Sequence, residues 1–573
     1  MHIFESCNSI ICLLTINETF MKTRSGLLML AMTAVLAVLS PEADCQYRDH
    51  GQTAALVKSL ASQYPALCTS RSLTRTAGGK EVWLFTIGTG DRDNKPGIAV
   101  IGGIDGKYIL GRELALGFAE KLLAGSGDKS TLGLLEKVTF YVFPDVNPDA
   151  SGQYFTGLKY ERSQNTRTTD EDRDFLYDED PCEDLNGDGV ITLLRIADPA
   201  GKYIEYEEDI RVMVTAETEK GKTGIYSVFT EGTDNDKDGK FNEDGEGGVS
   251  FNRNLTYNYE EFGPNSGLYP VSEPETRAVI DFLYDRFNIY MVIAFGPQDN
   301  LAEPMKAREQ PENQSPEESS RQGSPRRERG PMTSILKTDE TVNKLVSDKY
   351  REITGLKGIP PVVKEPGSFT DWAYFHYGRY SFSTPGWWIN VEKGKNAETE
   401  FLKFAEKQKL EDVFVPWKEI VHPDFPDKKA EVGGIKPFVM HNPPSDSVGS
   451  LIELHCKFIK EISAMHPELE FLDIKTENAG SNIFRLTLKV HNKGLFATSA
   501  GAGEPNIWTR VMRLSVEPSA GQAIISGQKV QRIGRLTGDE SAEFSWLISG
   551  KGKVKIAAGA ANTGQVSTSV ELR

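Results

Sequence analysis

The stretch 101-IGGIDGKYILGREL-114 decides the fold of this 573-residue chain. It follows the apolar run 97–100 and leads into residues 114–123, whose apolar side chains recur at helical spacing. A buried strand, a glycine-rich turn and a helix in this order are typical of an α/β sheet, which presents its chemistry at the carboxyl ends of its strands. The polar residues of the turn, Asp105 and Tyr108, therefore stand where a functional site is expected.

Further strand-like runs follow along the chain. Residues 137–143 are rich in β-formers and lead into the turn Asn147-Pro148-Asp149, and residues 289–295 and 380–384 are also strand-like. Helical stretches lie between these runs, which favours an α/β arrangement with a mainly mixed sheet and helices on both faces.

Several segments of the chain resemble the M14 metallocarboxypeptidases. Gly111-Arg112-Glu113-Leu114 matches the end of that family's zinc-binding segment, in which Gly-x-His-Gly-x-Glu leads into Gly-Arg-Glu-Leu. The segment 248-GVSFNRN-254 is similar to the family's Gly-Val-x-x-Asn-Arg-Asn, and 367-GSFTDWAY-374 is similar to its Asp-Trp segment. The resemblance covers roughly residues 47–465 and implies an M14-like fold for them.

The residues that the family uses for catalysis are replaced in this chain. At the positions of the zinc ligands and the general-base glutamate stand Asp105, Tyr108, Gly296 and Pro385. The zinc mechanism needs three protein ligands, an open coordination position and a carboxylate base. Asp105 alone offers an ordinary zinc ligand, so the resemblance implies a pseudopeptidase without zinc. An active metallocarboxypeptidase with rearranged ligands stays open as the alternative.

Part of the family's substrate site is retained. By the resemblance, Asn252 and Arg253 grip the C-terminal carboxylate of a substrate, a task that suits the planar guanidinium. The distance of Arg162 from Asn147 suits the family's transition-state arginine, and the alternative for Arg162 is a solvated surface arginine. These residues predict a ligand with a free C-terminal carboxylate, either a peptide or a cell-wall fragment.

Two acidic loops have a spacing typical of calcium-binding turns. Oxygen-bearing side chains alternate along each loop and are followed by glycine, which permits the sharp turn that aims ligands inward. Position twelve is Arg195 in the first loop and Gly245 in the second, so neither is an EF-hand. We predict structural calcium here, with a pair of acidic surface turns as the alternative. The candidate ligands are Asp184, Asn186, Asp188, Asp234, Asp236 and Asp238.

The composition and the N-terminal residues limit partners and location. A net charge of −17, from 82 acidic and 65 basic residues, argues against a nucleic-acid partner. Met21-Lys22-Thr23-Arg24 and the apolar run 27–39 are typical of a secretory signal, which predicts a secreted or periplasmic protein. The alternative, a membrane anchor, needs about 20 consecutive apolar residues, and the run 27–39 is shorter than that. We expect no membrane span once the signal is removed.

The changes in sequence character predict three parts of the chain. Residues 1–45 are interpreted as an upstream extension and the signal peptide, and residues 46–465 as the M14-like domain, with a polar insertion at 303–332. Residues 466–573 contain short alternating strands separated by Gly, Asn and Ser, a pattern typical of an antiparallel β-sandwich.

Overall fold

The computed structural model covers most of the chain after residue 46. It describes residues 47–170, 175, 177–178, 180–235, 237, 239, 241–242, 245–308 and 332–573. The predicted signal peptide and most of the predicted polar insertion lie outside these residues. Within the described ranges, no helix combines the length and apolar character that crossing a bilayer requires.

The elements are numbered here along the described chain. The helices are α1 (His50–Gln63), α2 (Leu110–Ala124), α3 (Lys129–Lys137), α4 (Pro148–Gly152), α5 (Pro274–Asp285), α6 (Lys337–Thr354), α7 (Phe369–Phe375), α8 (Ala397–Gln408) and α9 (Ser445–Ser463). The strands up to the end of the M14-like region are β1 (Cys68–Arg75), β2 (Glu81–Ile87), β3 (Gly97–Ile101), β4 (Thr139–Phe143), β5 (Leu193–Ala197), β6 (Tyr203–Tyr206), β7 (Asp209–Thr215), β8 (Tyr226–Thr230), β9 (Ile289–Phe295), β10 (Tyr380–Thr384), β11 (Phe414–Ile420) and β12 (Ala430–Ile435). The strands after α9 are β13 (Leu469–Gly480), β14 (Ile483–Asn492), β15 (Met512–Pro518), β16 (Ala523–Ser526), β17 (Val530–Ile533), β18 (Glu540–Ser549), β19 (Gly552–Ala560) and β20 (Gly564–Leu572).

A mixed sheet of six strands, in the order β1-β2-β4-β3-β9-β10, carries the predicted site. The strands β4, β3, β9 and β10 are parallel, and β1 and β2 add to them in antiparallel fashion. Every residue of β3, β4, β9 and β10 is buried, as expected for parallel strands covered on both faces. Helices α5 and α7 cover one face, and α2 packs on the sheet and against α9. The predicted mixed α/β fold class is confirmed.

The parallel strands bring the predicted site residues to one edge. Asp105 follows β3, Gly296 follows β9, and Pro385 follows β10, so all three stand at carboxyl ends of neighbouring strands. The backbone N–H of Gly296 donates to the carbonyl of Thr384 at 3.1 Å, which joins two of these ends directly.

A second sheet lies outside the sequence-based prediction. It has six strands in the order β11-β12-β5-β8-β6-β7, and all its recorded pairings are antiparallel. Its small core is built from Leu194, Ile196, Ala430 and Val432. The strands come from two segments far apart in the sequence, and the loop Asp184–Asp188 precedes β5.

The C-terminal region is built from two antiparallel four-stranded sheets. Their orders are β13-β14-β18-β16 and β17-β15-β19-β20. The buried side chains of both sheets form one core, which includes Leu488, Leu514, Trp546 and Ile556. The predicted antiparallel strands of this region are confirmed.

The C-terminal region contacts the M14-like region through buried polar and aromatic groups. Asp339 of α6 accepts hydrogen bonds from the backbone N–H of Gly501 at 2.8 Å and from the hydroxyl of Tyr374 at 2.8 Å. The guanidinium of Arg535 lies 3.0 Å from the same carboxylate, and both side chains are buried. Trp508 stacks on Tyr284 of α5 with ring centroids 4.0 Å apart.

Candidate functional site

Asp105, at the first zinc-ligand position, is buried and held by its own chain. Its Oδ1 accepts a hydrogen bond from the backbone N–H of Lys107 at 2.8 Å, and the hydroxyl of Ser163 lies 3.0 Å from each carboxylate oxygen. Burial raises the pKa of the Asp105 carboxyl to about 6, against the opposing effect of these hydrogen bonds. Hydrogen bonds from Lys107 and Ser163 therefore hold the Asp105 carboxylate in place.

Tyr108, at the second ligand position, lies between a histidine and several carboxylates. Its ring is 4.9 Å from the ring of His441, centroid to centroid. Burial is the main cause that raises the pKa of the Tyr108 hydroxyl, and the charges of Asp105, Glu161 and Glu365 raise it further. Tyr108 thus stands in an acidic surrounding in which the phenol stays protonated.

The remaining two catalytic positions carry no donor side chain. A Cβ atom built on Gly296 would lie 3.2 Å from Cβ of Ile104, so a longer side chain would require Ile104 to move. Pro385 is buried directly after β10. Of the four positions, Asp105 alone has a common zinc-ligating group, so these residues do not fit a three-ligand zinc site. In the part of the chain that the structure describes, no group of three or more His, Cys, Asp or Glu residues is arranged to hold a metal ion.

Asn252 and Arg253 lie side by side on a short 3-10 helix, Phe251–Arg253, and face a carboxylate of the same chain. The Asn252 amide donates to Glu365 and, at 3.0 Å, to Oε1 of Gln298. Gln298 donates in turn to Oε2 of Glu365 at 3.2 Å, and Nε of Arg253 lies 4.0 Å from Oε1 of Glu365. We call Asn252, Arg253 and Gln298 the carboxylate clamp.

Two further contacts fix the clamp to the fold. The side-chain oxygen of Asn252 accepts a hydrogen bond from the backbone N–H of Phe369 at 3.0 Å, at the start of α7. Arg253 donates from Nη1 to the carbonyl of Pro264 at 3.1 Å, and about a quarter of its side chain, 26%, is exposed. The clamp therefore combines a buried amide with a guanidinium that solvent reaches.

A cavity of about 650 Å³ opens beside the clamp. Gln298 and Glu365 line it together with residues that follow β9 and residues that precede α7. A volume of this size is within the range of small-molecule and peptide side-chain pockets. Gln298 of the clamp thus lines a pocket large enough for a ligand residue.

Arg162 is buried and makes several hydrogen bonds to its own loops. Its guanidinium donates to Glu246 at 2.8 Å, to the carbonyl of Gly247 at 2.7 Å and to the carbonyl of Gln164 at 3.0 Å. The side chain is 4% exposed, so Arg162 is not a solvated surface arginine. Its backbone lies against the glycine turn, since a Cβ on Gly106 would come within 2.3 Å of the Arg162 carbonyl oxygen. A role in ligand binding stays a prediction.

The carboxyl of Glu275, which like Arg162 forms a hydrogen bond with Asn165, is expected to make stability depend on pH. Its Oε1 accepts a hydrogen bond from Asn165 at 2.6 Å, and burial raises the pKa of Glu275 from 4.5 to about 7. Ionising it in the folded state is unfavourable, so the penalty is absent below pH 4.5, grows up to about pH 7, and is constant above. We expect Glu275→Gln to increase the free energy of unfolding at pH 8 by up to about 3 kcal/mol and to change it little at pH 4.

Urea unfolding of both proteins at several pH values measures this effect. The exposed Glu352→Gln provides the control, since the same chemical change at the surface has little effect at any pH. A stability difference between Glu275→Gln and the unchanged protein that is equal at pH 4 and pH 8 would contradict the expectation.

The described part of the acidic loops is held by hydrogen bonds within the loops. The Asp184 carboxylate accepts from the backbone N–H groups of Gly187 at 2.7 Å and of Gly189 at 2.8 Å, and Asn186 accepts from Asp188 at 2.9 Å. Asp234 accepts in the same way from Gly239 at 3.0 Å. Asp236 and Asp238 lie outside the described residues. Calcium at these loops stays a prediction.

The sequence analysis missed four residues of the site. These are Ser163, which donates a hydrogen bond to Asp105, His441, whose ring contacts that of Tyr108 in a tilted arrangement, and Gln298 and Glu365, which form hydrogen bonds at the clamp. Gln298 follows the predicted strand 289–295, and this position at the carboxyl end of a strand could have identified it as a site residue. Nothing local marks Glu365, which lies 113 positions from Asn252.

Comparisons with known proteins agree with the fold. Residues 53–192 match the family model described as zinc carboxypeptidase, and residues 468–571 match one described as a domain of unknown function (DUF8731). Carboxypeptidase B of Astacus astacus is 26% identical over 185 residues, which cover 30% of this chain and 60% of that protein. Carboxypeptidase E of Caenorhabditis elegans is 27% identical over 144 residues, which cover 22% of this chain and 29% of that protein. The chain thus spans 60% or less of the length of these two relatives.

Solved structures similar to this chain include a fibrinolysis inhibitor and a carboxypeptidase. The thrombin-activatable fibrinolysis inhibitor is 13% identical with a TM-score of 0.41, and the match covers 74% of this chain and 75% of that one. Carboxypeptidase A from Helicoverpa armigera is 13% identical with a TM-score of 0.40, and the match covers 77% and 80% of the two chains. The family match over residues 53–192 includes the first four strands of the mixed sheet and the glycine turn after β3, and it agrees with the carboxypeptidase relatives. The chain therefore resembles the M14 zinc carboxypeptidase family, with the family match lying at residues 53–192.

Proposed function

We propose that this protein is a non-catalytic member of the M14 metallocarboxypeptidase family. It binds peptides or cell-wall fragments by their C-terminal carboxylate. One observation carries the proposal: Asn252, Gln298 and Arg253 converge on a carboxylate group, that of Glu365. Amide donors and a guanidinium around one carboxylate are the recognition chemistry that a peptide C-terminus requires.

The catalytic positions support binding without hydrolysis. Asp105 already accepts hydrogen bonds from Ser163 and from the backbone at Lys107, while Gly296 and Pro385 supply neither a ligand nor a base. Hydrolysis by the family's mechanism needs both an activated water and a carboxylate base. The alternative, an active zinc enzyme with rearranged ligands, requires donors from other parts of the chain.

Zinc stoichiometry and a turnover assay separate these two functions. The purified protein is analysed for bound zinc and assayed with reporter dipeptides that carry a free C-terminal carboxylate. We expect neither equimolar zinc nor turnover above the rate without protein. Equimolar zinc together with turnover that a chelator abolishes would establish the enzyme instead.

Arg253→Ala tests the clamp directly. Loss of the guanidinium is expected to weaken binding of peptides with a free C-terminal carboxylate at least about tenfold, because a charge-assisted contact is lost. Binding is measured by titration with a fluorescein-labelled random tripeptide pool and with the same pool in C-terminally amidated form.

Arg75→Ala is the matched control for this titration. Arg75 is exposed on β1, where it pairs with Glu81, so this variant should bind as the unchanged protein does. Equal affinity of Arg253→Ala and the unchanged protein for the free-carboxylate pool would refute the clamp. Equal affinity of the unchanged protein for the free-carboxylate pool and the amidated pool would also refute the clamp.

We also propose that the protein is exported and that it binds a structural metal ion. The predicted signal at residues 21–45 supports export, to the periplasm or the outside of the cell, where peptide and cell-wall fragments with free carboxyl termini occur. The acidic loops at 184–188, before β5, and at 234–238, after β8, support structural calcium.

A further inference from the structure

The carboxylate in the clamp belongs to a segment with few other anchors. Residues 356–366, which we call the strap, run from the end of α6 towards α7 without helix or strand and form one wall of the 650 Å³ cavity. The strap includes Pro360, Pro361 and Pro366, which lack a backbone N–H. Ile359 and Val362 of the strap are exposed apolar residues.

The strap is fastened at both ends and, between them, through Glu365. At one end the indole N–H of Trp388 donates to the carbonyl of Lys357 at 3.1 Å, and at the other Leu255 donates to the carbonyl of Gly367 at 3.2 Å. Among the described residues, the recorded hydrogen bonds of 358–366 are those of the Glu365 side chain. Glu365 therefore provides the recorded hydrogen bonds of the strap between its two ends, and Pro360, near the middle of the strap, is buried.

Glu365 uses the donors that a bound C-terminus would need. Its Oε2 accepts from Gln298 at 3.2 Å and from Asn252, and its Oε1 faces Arg253, while 17% of the side chain is exposed. A second carboxylate at the same donors would meet the charge of Glu365 at close range. A C-terminal carboxylate and Glu365 thus exclude each other from the clamp.

We propose that Glu365 is an internal competitor that occupies the carboxylate clamp and keeps the site closed, so that a ligand binds only when its C-terminal carboxylate displaces the strap. This inference rests on the proposed function of the clamp and adds a regulatory step to it. The ligand must be an anion at its terminus, because a neutral group gains nothing from displacing a paired carboxylate.

Glu365→Gln tests this step, since it removes the charge and keeps the size of the side chain. Binding of the fluorescein-labelled tripeptide pool with free carboxyl termini is expected to become about tenfold tighter, because the competing ion is gone. The amidated pool should gain nothing. Glu392→Gln, the same change at an exposed residue outside the strap, is the control and should leave both affinities unchanged.

The double variant Glu365→Gln with Arg253→Ala should lose the gain in affinity, because the ligand then lacks the guanidinium.

The outcomes separate the two proposals. Equal affinity of the unchanged protein and Glu365→Gln for the free-carboxylate pool would overturn the internal competitor while leaving the binding function standing. Failure of every variant to distinguish the free-carboxylate pool from the amidated pool would overturn the proposed function, and the competition with it.

Discussion

Replacing Asp339 by alanine is expected to lower the free energy of unfolding by about 3–5 kcal/mol. Asp339 is fully buried and pairs with Arg535, whose side chain is 8% exposed. The substitution leaves this guanidinium without its charge partner, and it also leaves Gly501 and Tyr374 without an acceptor. Breaking a buried pair from one side is costly because the remaining charge is neither paired nor solvated.

Asp348→Ala is the matched control, because Asp348 is on the same helix, α6, and is also paired. Its partner Lys344 is 70% exposed and Asp348 itself 44% exposed, so the expected loss is below about 1 kcal/mol. Urea unfolding followed by tryptophan fluorescence measures both values. An equal decrease in the free energy of unfolding for the two variants would show that burial of the Asp339 carboxylate does not increase its contribution to stability.

Gly103→Ala is expected to destabilise the protein by about 3–5 kcal/mol. Gly103 stands in the turn after β3 with φ +66°, a conformation that costs an L-residue about 1–2 kcal/mol. A Cβ atom there would also lie 2.2 Å from Oδ1 and 2.9 Å from Cα of Asp145, whose side chain pairs with Arg112 in the interior. Overpacking against a buried ion pair adds the larger share of the loss.

Gly79→Ala separates backbone strain from the clash. Gly79 has φ +75°, and a Cβ there would meet nothing within 4 Å. This variant should therefore lose about 1–2 kcal/mol, which is the cost of the left-handed conformation alone. Thermal unfolding of both variants gives the comparison, and a loss for Gly103→Ala no larger than that for Gly79→Ala would disprove the steric argument.

The sheet that carries the site was predictable because its signals are local. The run 97–100, its glycine turn and the helix after it are adjacent in sequence. The residue types in each of these segments are sufficient to predict its structure. The second sheet lacks such a signal, since its strands come from two segments far apart in the sequence. Its pairing of Arg195 with Glu431 joins residues 236 positions apart, a relation that one sequence does not display.

The residues of the candidate site also differ in whether the sequence alone predicts them. Asn252 and Arg253 are neighbours in sequence, so a motif of seven residues was sufficient to single them out. Glu365 reaches them from a proline-rich segment whose composition indicates only a loop, and its role depends on a fold that brings α7 beside the clamp. Contacts of this kind follow from tertiary packing and need a structure to be seen.

The buried contacts between the two regions also bear on cooperativity. Ala502 belongs to the hydrophobic core formed by α5, α7 and the mixed sheet, and Trp508 packs against that core, although both residues stand in the segment between β14 and β15. Removing the C-terminal region would therefore open a hole in the neighbouring core and expose Asp339. The two regions share buried contacts, so we expect them to unfold together in a single thermal transition.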